Sequence, residues 1–229
     1  MLVSNWMTRN VITADKCDSV EVAKNLLKQH SISLLPVMEK EMLCGVVSSG
    51  DFYRTINSLA AEQEDPDLKD TVSPLTIGQV MTPNVISVPA DFTVEETMEL
   101  LINNEIRGVP VINDKKKVIG VITQTDLLKA VVDLTGVSRR GIQYALEVED
   151  RPGTIKELSD TIRSFGGCIG SIMTSHEGVT DGFRRAYIRM YGIDRFRLND
   201  LNEALKEIAT LVYVVDHIEI RKVENTNNY

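Results

Sequence analysis

The sequence predicts an α+β protein made of two β-α-β-β-α repeats followed by a βαββαβ unit. Three observations predict it: a long internal repeat, short β-branched runs that alternate with helical periodicity inside each copy, and a new pattern after Gly136. Met7-Thr8-Arg9-Asn10-Val11-Ile12-Thr13 returns as Met81-Thr82-Pro83-Asn84-Val85-Ile86-Ser87, a shift of 74 residues. Leu35-Pro36-Val37-Met38 returns as Val109-Pro110-Val111-Ile112, and after one inserted residue Gly45-Val46-Val47-Ser48-Ser49-Gly50-Asp51 returns as Gly120-Val121-Ile122-Thr123-Gln124-Thr125-Asp126. Polar residues at two special positions therefore recur together with the core.

In the second copy, Val85 to Val88 reads as a short strand. Thr93 followed by Glu95 and Glu96 supplies a helix cap, and Val94, Met98, Leu101 and Ile102 form the apolar face of a helix through Asn103. Val109 to Ile112 and Val118 to Thr123 read as antiparallel strands around the polar turn 113–117, and Asp126 caps a last helix that stops at Gly136. The first copy predicts a helix near Val20 to His30, strands at Leu34 to Met38 and Leu43 to Val47, and a helix from Asp51. Between the copies, 62–70 carries five acids and one base with Pro66 inside it, a solvated connector.

The third unit opens with a strand at Ile142 to Val148 and a turn at Asp150-Arg151-Pro152-Gly153. Ile155, Leu158, Ile162 and Phe165 then fall at helical spacing up to Gly166-Gly167. Strands at Ile169 to Met173 and Ala186 to Tyr191, a helix at Leu198 to Thr210 and a strand at Leu211 to Ile220 complete a split βαβ plan. The expected layout is a first repeat at 1–60, an acidic linker at 61–75, a second repeat at 76–136 and the third unit at 137–229.

Composition removes several classes of function. Of 229 residues, 43% are hydrophobic, enough for two or three small cores. No apolar run approaches the roughly 20 residues of a membrane span, and Met1 to Asn10 lacks the layout of a signal peptide, so a cytoplasmic protein with no membrane partner is expected. Residues 1–136 hold 12 Lys and Arg against 19 Asp and Glu, and residues 137–229 hold 13 against 14. An acidic first part argues against nucleic acid as a partner. Cys17, Cys44 and Cys168 are far apart and are expected as buried small hydrophobes. His30, His176 and His217 show no ligand spacing, so no metal site is expected.

The Met-Thr opening, the (Leu/Val)-Pro-Val strand and the Gly-x-x-(Ser/Thr)-x-x-Asp segment, each present twice, resemble CBS domains, and the tandem resembles a Bateman module. Asp150-Arg151-Pro152-Gly153, the helix after it, Gly166 and Ile169 to Ile172 resemble an ACT domain, although Cys168 stands where that family often has Asn. The combined architecture is similar to the acetoin-utilisation type B family. No residue points to acetoin chemistry itself.

These resemblances imply regulatory sites. A carboxylate three residues after a hydroxyl suits a ribosyl ligand, because Asp accepts from vicinal ribose hydroxyls while Ser or Thr donates to sugar or phosphate. By resemblance to CBS pairs, Ser48 with Asp51 and Thr123 with Asp126 would contact an adenosine ligand; a helix cap of about 1 kcal/mol accounts for the same residues. Arg107, three residues before Pro110, would hold a phosphate, whereas Ser33 at the equivalent position before Pro36 cannot. The Arg107 cleft is thus expected to prefer a phosphorylated ligand, and the other to be empty or to take a less charged one. Thr13, Ser87, Pro36, Val109 and Pro110 would line the adenine pockets, or simply pack.

By resemblance to ACT domains, Asp150, Arg151 and the N–H groups near Gly153 would hold an amino acid at a paired interface, which a plain β-turn also explains. With no nucleophile elbow, P-loop or metal constellation, the expectation is a protein that is not an enzyme and carries no cofactor. The leading expectation is a homodimeric sensor of AMP, ATP, S-adenosylmethionine or cyclic di-AMP that acts on a separate protein target. The alternative is an amino-acid-responsive regulator with the repeats as scaffold.

Overall fold

The computed structural model describes residues 1–52 and 75–217, which divide into two compact units between Ala130 and Val131. In the first unit, β1 (Ala14–Asp15), α1 (Val20–Gln29), β2 (Leu34–Glu39) and β3 (Met42–Ser48) come from the first repeat. A short helix α2 (Ile77–Val80), β4 (Thr82–Pro83), β5 (Val88–Pro89), α3 (Val94–Asn103), β6 (Gly108–Ile112), β7 (Val118–Thr123) and α4 (Gln124–Leu134) follow. The acidic segment 62–70 lies outside the described residues.

The repeat in the sequence is a repeat in register. β1 runs parallel to β2 with Ala14 opposite Val37, and β5 runs parallel to β6 with Val88 opposite Val111, the same pairs 74 residues on. Each hairpin, β2–β3 and β6–β7, shifts register once, at Val37/Met38 and at Val111/Ile112. Pro36 and Pro110 are tolerated because at those positions the two-residue strands β1 and β5 do not reach, so only one flank of each strand carries a ladder.

The opening segment of each repeat is built onto the body of the other. Val3 N–H donates to the Phe92 carbonyl at 2.8 Å, Val94 N–H to that of Met1 at 2.7 Å, and Thr8 exchanges both backbone bonds with Val121. Reciprocally, Ile77 N–H donates to Asp18 at 2.8 Å, Val20 N–H to Leu75 at 2.9 Å, and β4 joins β3, giving sheets β1-β2-β3-β4 and β5-β6-β7. Val3 and Met7 are accordingly buried with Val94, Leu101, Val109 and Ile122, and Ile77 with Ala23, Leu35 and Val47. Each such aliphatic side chain contributes about 1.5–3 kcal/mol by leaving water.

Two glycines allow the exchange. A Cβ at Gly120 would lie 2.4 Å from Met7 Sδ, and one at Gly45 would lie 2.3 Å from Met81 Sδ. The recurring Met and Gly of the two motifs are thus one contact made twice.

Helix starts follow the sequence. Ser19 Oγ accepts from Val22 N–H, and Thr93 forms a full capping box with Glu96. The expected strand at Val85 to Val88 is reduced to Val88–Pro89, because β6 offers a parallel partner only from Val111 onward. The last helices begin before their aspartates: the first repeat is helical from 49 and α4 from Gln124, so Asp51 and Asp126 are third in their helices and are not the capping residues.

In the second unit, β8 (Ile142–Glu149), α5 (Thr154–Ser164), β9 (Cys168–Ser175), β10 (Phe183–Tyr191), α6 (Leu198–Lys206) and β11 (Thr210–Asp216) form one antiparallel sheet in the order β11-β8-β10-β9, the split βαβ topology. Tyr144, Leu146, Ile188 and Met190 bury against Leu158 and Ile162 of α5 and Leu201 and Leu205 of α6. Tyr144 donates its hydroxyl to Asn202 Oδ1 at 2.7 Å, and burial pushes its phenol up to about 12. α6 ends at Lys206, four residues before the expected Thr210, because Thr210 is already paired with Glu147 in β11. The expected end of that strand, Ile220, lies outside the described residues. Cys17 and Cys168 are exposed, not buried, and only Cys44 is half-buried.

Candidate functional site: two cavities in the first unit

Two concave cavities open in the first unit, of about 580 and 440 Å³. The first is lined by Ser48, Asp51, Thr82, Val85, Ile86, Glu105, Arg107 and Pro110, the second by Thr8, Asn10, Val11, Thr123, Thr125, Asp126 and Lys129. Ser33 and Leu34 belong to both walls.

Each cavity contains one strand-to-helix junction with the same geometry. Asp51 Oδ2 accepts from Ser48 N–H and from Ser48 Oγ, both at 2.7 Å. Asp126 Oδ2 accepts from Thr123 N–H at 3.0 Å and from Thr123 Oγ1 at 2.7 Å. The carboxylate reaches back to the first residue of the junction, as the acid of a capping box does. Because the hydroxyl gives its proton to the carboxylate, it faces other partners as an acceptor, not as the expected donor. The other carboxylate oxygen meets a different group in each junction. Thr82 Oγ1 donates to Asp51 Oδ1 at 3.3 Å, whereas Lys129 Nζ stands 3.7 Å from Asp126 Oδ1.

Sequence reasoning placed four residues off these walls. Thr13 and Ser87 line neither cavity; the residues just before them, Val11 and Ile12 and Val85 and Ile86, do so. Pro36 and Val109 are buried and line neither. Arg107, although it belongs to the second repeat, shares its cavity with Ser48 and Asp51 of the first, not with Thr123 and Asp126. Among the wall residues that were missed are Thr82, Lys129 and Glu105. Thr82 had a signal, since Met-Thr opens both copies, and Lys129 had one too, since it is one turn after Asp126. Glu105 had none.

In the second unit the charged turn residues are engaged by their surroundings. Asp150 meets His176 Nε2 at 2.9 Å and Arg184 Nε at 3.4 Å. Arg151 donates to Glu149 at 3.0 Å and through both terminal nitrogens to Glu157 at 2.9 Å, which raises its own pKa and lowers that of Glu157. Gly153, with φ +96°, takes the left-handed turn that begins α5. Among the described residues no cluster could hold a metal ion, and no helix is long and apolar enough to cross a membrane.

This architecture matches known proteins in its first part. Residues 3–58 and 77–133 match the CBS domain family, and the first unit is a tandem CBS domain pair. An uncharacterised protein of Methanocaldococcus jannaschii is 26% identical over 156 residues, covering 58% of this chain and 92% of its own length. Inosine-5′-monophosphate dehydrogenase of the same organism is 33% identical over 122 residues, but these span 53% of this chain and only 22% of the dehydrogenase. The similarity to that enzyme is therefore confined to a segment about as long as the pair. Among solved structures, CBSX2 of Arabidopsis thaliana in complex with AMP is 27% identical, covering 58% of this chain and 98% of that one at a TM-score of 0.49.

Proposed function

We propose that the CBS pair is a non-catalytic sensor of an adenosine-containing ligand. The observation that carries this reading is the junction of hydroxyl and carboxylate repeated on the walls of two cavities whose volumes suit small molecules. At Asp126, Oδ2 accepts from Thr123 and Oδ1 faces only the long ion pair with the exposed Lys129, a contact that a ribose diol, a donor of the right kind, would replace. AMP, ATP, S-adenosylmethionine and cyclic di-AMP all offer an adenine and a ribose, and Arg107 adds a cation for a phosphate in the first cavity. Binding would shift a two-state arrangement only by its differential affinity for the two states, in a homodimer that acts on a separate target. The split βαβ unit serves as an ACT-like pairing module in this scheme, and the engagement of Asp150 by His176 and Arg184 and of Arg151 by Glu149 and Glu157 favours that role over amino-acid capture.

The test is a thermal-shift panel of these nucleotides and of free amino acids on the intact chain, on Asp51→Ala and on Asp126→Ala. A ligand that binds only the folded state at a hundredfold excess over Kd stabilises it by about 2.7 kcal/mol. A nucleotide shift lost in one variant is expected. Shifts with branched-chain amino acids and with no nucleotide would overturn the reading.

A further inference from the structure

We infer that the sheet of the second unit pairs face to face with the same sheet of a second copy of this chain, about a two-fold axis that runs along the strands between β8 and β10. The inference rests on the homodimer of the proposed function and names the surface that forms it.

α5 and α6 cover one face of this sheet, and strand alternation places a different set of side chains on the other. Cross-strand partners share a face, so the register sets two adjacent rows there: Tyr213, Ala145, Tyr187 and Met173 form one, and Glu147 beside Arg185 forms the centre of the next. Tyr213 is 40% and Met173 38% exposed, while the small side chain of Ala145 lies wholly beneath its neighbours. The Thr135 carbonyl accepts from Arg189 Nε at 2.9 Å and from Ser171 Oγ at 2.8 Å, which covers the row beyond the tyrosines and leaves these two open. Aromatic, methionine and arginine side chains without lysine are the composition that protein interfaces favour.

The charges select the occupant. Arg185 donates to Glu147 at 3.3 Å on the neighbouring strand, so the open rows offer one base and one acid side by side and are neutral together. In the order β11-β8-β10-β9 the midline lies between β8 and β10, and a two-fold along it lays β8 over the second copy's β10 and β11 over its β9. Glu147 then meets the second copy's Arg185, Ala145 receives its Tyr187, and Tyr213 meets its Met173, each contact made twice. A two-fold across the strands, through the tyrosine row, would instead set Arg185 against the second copy's Arg189, like against like. A strongly acidic or strongly basic partner would oppose one of the two charges. Four strands about 4.8 Å apart and eight residues of about 3.4 Å each give the face roughly 500 Å² in plan, below the roughly 800 Å² per partner of a standard interface, so the pairing is reversible and needs concentrated protein.

The experiment combines sedimentation velocity of the full chain with site-directed cross-linking. Met173→Cys and Tyr213→Cys are made singly and together in a background where the exposed Cys17 and Cys168 are replaced by Ser. The linker is a bis-maleimide too short for the roughly 14 Å between β9 and β11 within one chain, yet long enough for side chains of sheets stacked about 10 Å apart. The melting temperature of each variant verifies the fold. A dimer by sedimentation is expected, with a covalent dimer from the double variant and from neither single one. Adding Arg185→Glu should lower the cross-linked yield, and adding Glu147→Arg to that should restore it. A chain that sediments as a dimer but gives no cross-link between 173 and 213 overturns the inference and leaves the homodimer intact, and a yield that Arg185→Glu does not change overturns the axis. A chain that stays monomeric at the highest concentration overturns both the inference and the homodimer.

Discussion

The two CBS repeats share a scaffold and differ in the charges hung on it. Register, hairpin bulge, methionine-on-glycine contact and the hydroxyl–carboxylate junction are all duplicated. The cations are not: Arg107 precedes a strand and Lys129 sits on a helix. Packing tolerates few alternatives, so duplicated backbone geometry demands duplicated small and apolar residues. A cavity wall tolerates many, so two clefts with one backbone can acquire different ligand preferences.

The largest expected effect falls on the shared scaffold. Gly45→Val and Gly120→Val each force a methionine out of its seat, and overpacking of this kind costs about 1–3 kcal/mol. Urea denaturation should give the two variants similar losses; a large loss in one with none in the other would break the equivalence of the repeats.

A smaller effect separates the two junctions. Asp51 is buried and also accepts from Thr82, whereas Asp126 is half-buried and borders a solvated lysine. Truncation to Ala leaves more unsatisfied donors at residue 51, with an expected cost of about 2 kcal/mol there against about 1 kcal/mol at residue 126. Equal melting temperatures for the two variants would contradict this ranking.

The smallest effect is the pH dependence contributed by the cap of α3, which the α1 cap does not share. Thr93 N–H and Oγ1 hold Glu96 in its ionised form, lowering its carboxyl pKa through hydrogen bonds, while the α1 cap at Ser19 has Val22 at the corresponding position. A depressed folded-state pKa contributes stability above the unfolded value near 4.5 that is lost as pH falls through the folded value. Glu96→Gln should flatten that acid dependence slightly. An acid limb with unchanged slope would show that the cap is thermodynamically silent.

Much of the fold was legible because it is local. Thr93 with Glu96, the turn at 113–117, the alternation along Ile142 to Val148 and the helical spacing of Leu158 and Ile162 each express their preference within a few residues. The misreadings occurred where a partner decided the outcome. Val85 to Ser87 has β-rich composition but no strand edge beside it, and Thr210 leaves its helix because β8 pairs with it.

The candidate site divides in the same way. Ser48, Asp51, Thr123 and Asp126 could be found from the repeat and from the chemistry of a hydroxyl beside an acid. That Arg107 joins Asp51 could not, because Arg107 reaches the first-repeat cavity through the folding of one repeat's opening onto the other's body. Sequence by itself determined the duplication, the order of elements and the paired junctions, since these follow from short-range propensity and periodicity. Tertiary structure alone decided the exchange of opening segments and the grouping of Arg107 with Asp51 and Glu105 on one cavity wall. Those depend on contacts between segments dozens of residues apart, whose geometry no local pattern encodes.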